Sequence, residues 1–91
     1  MSQISTQQTQ EIKETVKTHL AEFLSPNDLQ KLTDSTPLIT GGFLDSITLA
    51  ELAVSLEDHY AVTIHSYEMS VEYFDNLDDI AAMVQSKMTE Q

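Results

Sequence analysis

Gly41-Gly42-Phe43-Leu44-Asp45-Ser46-Ile47-Thr48-Leu49-Ala50-Glu51-Leu52-Ala53-Val54-Ser55-Leu56-Glu57-Asp58-His59-Tyr60 is the stretch on which the fold turns. Two glycines mark a turn, and helical periodicity then runs from Ser46 to Tyr60. At about 100° per residue, Leu49, Leu52, Ala53, Leu56 and Tyr60 share one arc roughly 100° wide, the width of a buried helical stripe. Ile47, Ala50 and Val54 fall in a second arc, roughly 60° wide and well away from the first. Glu51 and Asp58 flank this second arc on one side and Glu57 on the other. An apolar strip rimmed by acids reads as a docking surface, where apolar contact gives affinity and charge gives steering. It reads equally as the ordinary scatter of small exposed residues. Asp45 is a good N-cap, which leaves Ser46 at the first helical position with its hydroxyl exposed. Backbone N–H groups and the positive end of the helix dipole would stabilise a phosphate attached there. The plainer reading of Asp45-Ser46 is a dipeptide that merely begins a helix.

Outward from this stretch the chain reads as helical throughout. Toward the N-terminus, Ile12, Val16, Leu20, Phe23 and Leu24 recur at helical spacing and predict a helix from Gln8 to Leu24, closed by Ser25-Pro26. Ser5 with Gln8 forms a candidate capping box, with Thr6 and Thr9 as other caps, and residues 1–7 are expected to fray. Between this helix and the glycine turn runs a long connection. Ser25 can cap a short turn with Pro26 at its first position and Asp28 at its third. Leu29, Leu32, Leu38 and Ile39 would pin the connection to a core. Toward the C-terminus, Ala61 to Ile64 is too short for strand pairing, and Ser66 to Phe74 holds one or two helical turns. Asn76, with Asp79 three residues on, caps a last helix carrying Leu77, Ile80, Ala81, Val84 and Met88. Asp78 and Asp79 in its first turn and Lys87 in its last suit the dipole. The expectation is a single all-α domain over residues 1–91: a small four-helix bundle of three main helices plus one short helix, with a long loop after helix 1.

Composition narrows function. The 91 residues hold 15 acids against 4 lysines, with no arginine, no cysteine and a formal charge of -11. That balance argues against nucleic acid and anionic membranes, and favours basic protein partners. Without cysteine there is no disulfide, no thiolate catalysis and no sulfur-built zinc site. No window has the apolar length of a membrane span and no secretory signal pattern opens the chain, so a cytoplasmic monomer is expected. Self-repulsion predicts that salt or mild acid stabilises the fold.

Gly42-Phe43-Leu44-Asp45-Ser46-Ile47, followed by Leu49, Glu51, Leu52, Leu56 and Glu57, resembles the phosphopantetheine attachment region of acyl and peptidyl carrier proteins. The resemblance spans almost the whole chain, including the long first loop, Val62-Thr63-Ile64 and the short third helix. It implies that Ser46 accepts 4′-phosphopantetheine from coenzyme A, installed by a phosphopantetheinyl transferase. Acyl or aminoacyl groups would then ride as thioesters on the arm, loaded by a ligase and passed to downstream transferases or synthases. The protein itself would catalyse nothing, since the cofactor supplies the chemistry. Asp45 would cap the helix and aid recognition by the transferase, and Ile47, Ala50, Glu51, Val54, Glu57 and Asp58 would form the partner-docking face. Fatty-acid carriers usually place an acid where Thr48 stands here. Tyr73-Phe74-Asp75-Asn76-Leu77 is more similar to stand-alone carriers that serve adenylating ligases, including aminoacyl and D-alanyl carriers. The alternative is a small acidic protein-interaction module without a prosthetic group.

Other chemistry finds little support in the residues. His19, His59 and His65 lack a further ligand at metal spacing, so no metal site is expected. Asp75, Asp78 and Asp79 lack the glycine and terminal glutamate of a calcium loop. A hydrolase built on Ser46 would need a histidine and a nucleophile elbow beside it. Met69, Met83 and Met88 read as core filler, and Tyr67, Tyr73 and Phe74 as core or as cover for the short third helix.

Overall fold

The computed structural model describes the backbone of residues 2–89 and the side chains of residues 7–88. Five helices follow in order: α1 (Ser2–Leu20), α2 (Pro26–Lys31), α3 (Ser46–Tyr60), α4 (Val71–Phe74) and α5 (Leu77–Thr89), with a 3-10 turn at Ser66–Glu68 before α4. There is no strand among the described residues. The expected bundle of three long helices therefore forms, and the connection after α1 holds the additional short helix α2.

The first helix differs from its expected bounds at both ends. Its backbone is already helical at Ser2, so Ser5, Thr6 and Thr9 lie inside the helix rather than before it. The Ser5 side chain, part of the expected capping box, is outside the described residues, as is Met1. At the other end α1 stops at Leu20 instead of Leu24, and residues 21–24 continue as turns, with Leu24 N–H donating to Leu20 O at 2.9 Å. The physical reason is next in the chain. Ser25 caps α2 from an extended backbone (φ -70°, ψ 159°) and accepts Asp28 N–H at 3.2 Å, so the chain has to leave the α1 path beforehand.

The core is the sum of four apolar faces. Ile12, Val16 and Leu20 of α1 meet Leu77, Ile80, Ala81 and Val84 of α5, with Leu49, Leu52, Ala53 and Leu56 of α3 closing the bundle. Phe74 of α4 is fully buried, and Leu32, Leu38, Leu44 and Ile64 carry the connections into the same cluster. Met83 is buried, with Met69 and Met88 packed at the margin. Tyr67 departs from its expected role as cover. It is exposed and stacks flat on the His65 ring, centroids 5.5 Å apart.

Two buried ionic contacts cross the bundle. Lys13 of α1 reaches Asp34 in the connection at 2.9 Å and Asp78 at the start of α5 at 2.6 Å. Lys87 of α5 meets Glu68 at 2.7 Å, and the same Glu68 oxygen accepts the N–H of His65 at 2.9 Å. In a chain with so few cations, these two lysines tie four parts of the sequence to one another.

Candidate functional site

The loop that leads into α3 is built before the helix is. Leu38 N–H donates to the backbone carbonyl of Asp75, and the Asp75 carboxylate accepts Ile39 N–H and Thr40 N–H, both at 2.9 Å, together with the Thr40 hydroxyl at 2.9 Å. These donors, Thr40 N–H foremost, hold the Asp75 carboxyl below the ordinary aspartate value. The chain then reverses. Phe43 and Leu44 N–H groups both donate to Leu38 O, at 2.8 and 2.9 Å. Gly42 sits at φ +87°, which glycine adopts without penalty, and a Cβ on Gly41 would collide with the Pro37 carbonyl oxygen. Leu44 is buried beneath the turn, which sets where Asp45 and Ser46 emerge.

Asp45 is the N-cap of α3, as its sequence position suggested, and its partner is Thr48. Asp45 Oδ1 accepts Thr48 N–H at 2.8 Å, and Asp45 N–H donates to Thr48 Oγ1 at 2.9 Å. The Thr48 hydroxyl also lies 3.0 Å from Asp45 Oδ1, to which it can donate. The result is a reciprocal capping box. Thr48 N–H first, and its hydroxyl next, lower the Asp45 carboxyl from its ordinary value, so it is anionic at neutral pH. Ser46 follows at the first helical position, exposed, and its hydroxyl makes no hydrogen bond among the described residues.

Beyond Ser46 the two faces of α3 separate as their spacing required. Leu49, Leu52, Ala53 and Leu56 are buried. Ile47 and Val54 are 70% and 55% exposed, and Ala50, Glu51 and Asp58 are exposed beside them. Glu57 behaves differently. It is half-buried, and its carboxylate accepts Ile64 N–H at 2.8 Å, tethering the segment after α3. That segment starts at Ala61, whose left-handed backbone (φ 56°) ends the helix.

His59 and its neighbour His19 are remote from Ser46. His59 lies in the last turn of α3, its ring 6.1 Å from that of His19, roughly 20 Å along the helix from Ser46 at 1.5 Å per residue. His65 is further along the chain, at the 3-10 turn. Among the described residues no three metal-ligating side chains gather.

Sequence reasoning named Asp45 and Ser46 but passed over what supports them. Thr48 registered only as a missing acid, although an aspartate followed three residues later by a threonine at a helix start is itself the signal of a reciprocal cap. Asp75 drew notice as a potential cation ligand, and its carboxylate instead serves the backbone of the loop before Ser46.

An exposed, unbonded serine hydroxyl on the positive end of a rigid helix suits covalent attachment of a phosphate-linked arm. Together with the all-helical bundle, these features suit a carrier-type scaffold. The chain belongs to the phosphopantetheine attachment site family, which matches residues 14–84. It is a non-catalytic carrier protein whose prosthetic group is 4′-phosphopantetheine, and such a domain meets a phosphopantetheinyl transferase and the enzymes of its pathway. No individual curated protein matches the chain. No helix among the described residues is long and apolar enough to cross a membrane.

Proposed function

We propose that Ser46 is the attachment residue and that the protein is a specialised stand-alone carrier, presenting acyl or aminoacyl groups as thioesters to its partner enzymes. The single observation that carries this reading is the free Ser46 hydroxyl at the first position of α3, inside the family-matched region. The arm would supply the thiol that the cysteine-free chain lacks. Attachment forms a bond from Ser46 Oγ to the phosphorus of the pantetheine phosphate of coenzyme A. The bond from that phosphorus to the pyrophosphate bridging oxygen breaks, 3′,5′-ADP leaves, and the serine proton passes to a base of the transferase. The chain contributes position rather than proton transfer. Asp45 fixes the helix start, and Ile47, Ala50 and Val54 with Glu51 and Asp58 offer a face on which a basic enzyme can seat itself. Glu57 belongs to this face by position, while its carboxylate steadies the chain after α3.

Two features support a ligase-loaded cargo over bulk fatty-acid synthesis. Thr48 replaces the acid usual two residues after the serine, and the Tyr73–Leu77 stretch resembles that of carriers serving adenylating ligases. Incubation with coenzyme A and a promiscuous phosphopantetheinyl transferase tests the assignment by intact mass. The wild type gains one phosphopantetheine and Ser46→Ala gains none; equal labelling of the two would sink the assignment.

A further inference from the structure

We propose that Thr48 is the positioning residue for modification of Ser46, acting through the Asp45 carboxylate. The inference rests on the carrier reading above and concerns how this chain presents its serine. Thr48 meets Asp45 through both its backbone and its hydroxyl. Its N–H goes to Asp45 Oδ1, its hydroxyl oxygen takes Asp45 N–H, and its hydroxyl proton can return to Oδ1. The Thr48 N–H thus engages Oδ1, and the hydroxyl proton has two acceptors on Asp45, Oδ1 at 3.0 Å and the backbone carbonyl oxygen at 3.3 Å. The capped carboxylate stands one residue before Ser46, on an exposed helix end.

The alternatives at this position show what the hydroxyl does. A valine would keep the branched shape but leave Asp45 N–H without its side-chain acceptor, and Asp45 would regain its other rotamers. A carboxylate at Thr48 could still reach Asp45 N–H, but it would set a second negative charge against the first. Threonine closes the cap while remaining neutral. The approaching transferase then meets a single, fixed carboxylate beside the serine. The groups acting on that carboxylate are Thr48 and the backbone of Ile47 and Asp45, with no lysine or histidine among them.

The test compares phosphopantetheine transfer from coenzyme A to wild type, Thr48→Val and Thr48→Ser at neutral pH, with amide spectra recorded to confirm folding. One lost capping contact corresponds to a fall in kcat/KM of about fivefold for Thr48→Val. Thr48→Ser should restore the rate to within about twofold of the wild type. In an Asp45→Asn background the Thr48→Val effect should vanish, because the pair acts as a unit. Carbon-13 titration of the Asp45 carboxyl in the unmodified protein should show its pKa rising in Thr48→Val and holding in Thr48→Ser. The proposal is overturned if Thr48→Val is modified at the wild-type rate. It is equally overturned if Thr48→Ser is as slow as Thr48→Val, or if the loss persists undiminished without Asp45. Failure of the wild type to be modified at Ser46 would instead bring down the attachment assignment, and the carboxyl titration would still report whether Thr48 governs Asp45.

Discussion

Asp75 gathers two backbone N–H groups and a hydroxyl onto its carboxylate, and its carbonyl takes a third N–H, so one residue near the start of α5 shapes the loop that precedes Ser46. Asp75→Ala would leave Ile39 and Thr40 N–H groups without those partners, partly compensated by water because Thr40 is exposed. The expected loss is about 1–3 kcal/mol in urea unfolding, with accelerated amide exchange concentrated at residues 38–44. Gly41→Ala acts on the same loop by a different route. The new Cβ meets backbone, which cannot swing aside as a side chain can, so a destabilisation of about 1–3 kcal/mol is expected by the same measurement. At this scale the sequence was half legible. Asp45 could be read because N-caps depend on neighbours within four residues. Asp75 could not, because its partners lie 35 and 36 positions away and nothing in local spacing announces them.

Among the elements, α3 and α5 match their expected bounds because each starts at a side chain that caps it: Asp45 with Thr48, and Asn76, whose Oδ1 accepts Asp79 N–H at 2.7 Å. The bounds of α1 were harder to read. Its polar N-terminal turns carry no periodic signal, and its end is set by the needs of α2. The docking of α1 against α5 has an ionic component that periodicity cannot reveal. Lys13 is buried, flanked by Asp34 and Asp78, and these carboxylates raise its pKa above the usual lysine value, hydrogen bonding to Asp78 foremost. Lys13→Met keeps the aliphatic packing but removes the charge. Because both carboxylates remain half-exposed and can be hydrated, the expected cost is about 1–2 kcal/mol in urea unfolding rather than the several expected for a fully buried pair. A group whose folded pKa is raised contributes fully below its unfolded value. The Lys13 contribution should therefore be constant through neutral pH and be lost only as pH climbs through its raised value, above the ordinary 10.5.

For the whole molecule, the charge of -11 and the three depressed carboxyls pull stability in opposite directions as pH falls. Self-repulsion weakens when acids are neutralised, so salt at neutral pH should raise the melting temperature. Asp45, Glu68 and Asp75 all have folded values below their ordinary ones. Thr48 N–H and Thr40 N–H lower the first and third. At Glu68 burial works upward, and Lys87 together with His65 N–H outweighs it. A group depressed in this way stabilises the fold above its unfolded pKa and loses that contribution as pH drops through the folded one. Stability should therefore peak between about pH 5 and neutrality and fall steeply below about pH 4, as melting curves at fixed ionic strength would record. A melting temperature still rising at pH 3 would contradict this.

The placement of the lysines has a consequence for how two molecules find each other. Lys13 and Lys87 are turned into the bundle against carboxylates, and Lys31 lies 3.9 Å from Asp28. Seen from a distance, the protein is a strongly anionic particle, with a formal charge of -11. Such a field draws a basic partner in from every side and keeps sister copies apart, but it carries little information about which way the molecule is facing. Orientation then has to be decided at short range, by shape and by dry contact at Ile47, Ala50 and Val54. Raising the ionic strength should slow encounter with an enzyme far more than it speeds departure, whereas Val54→Asp should do the reverse.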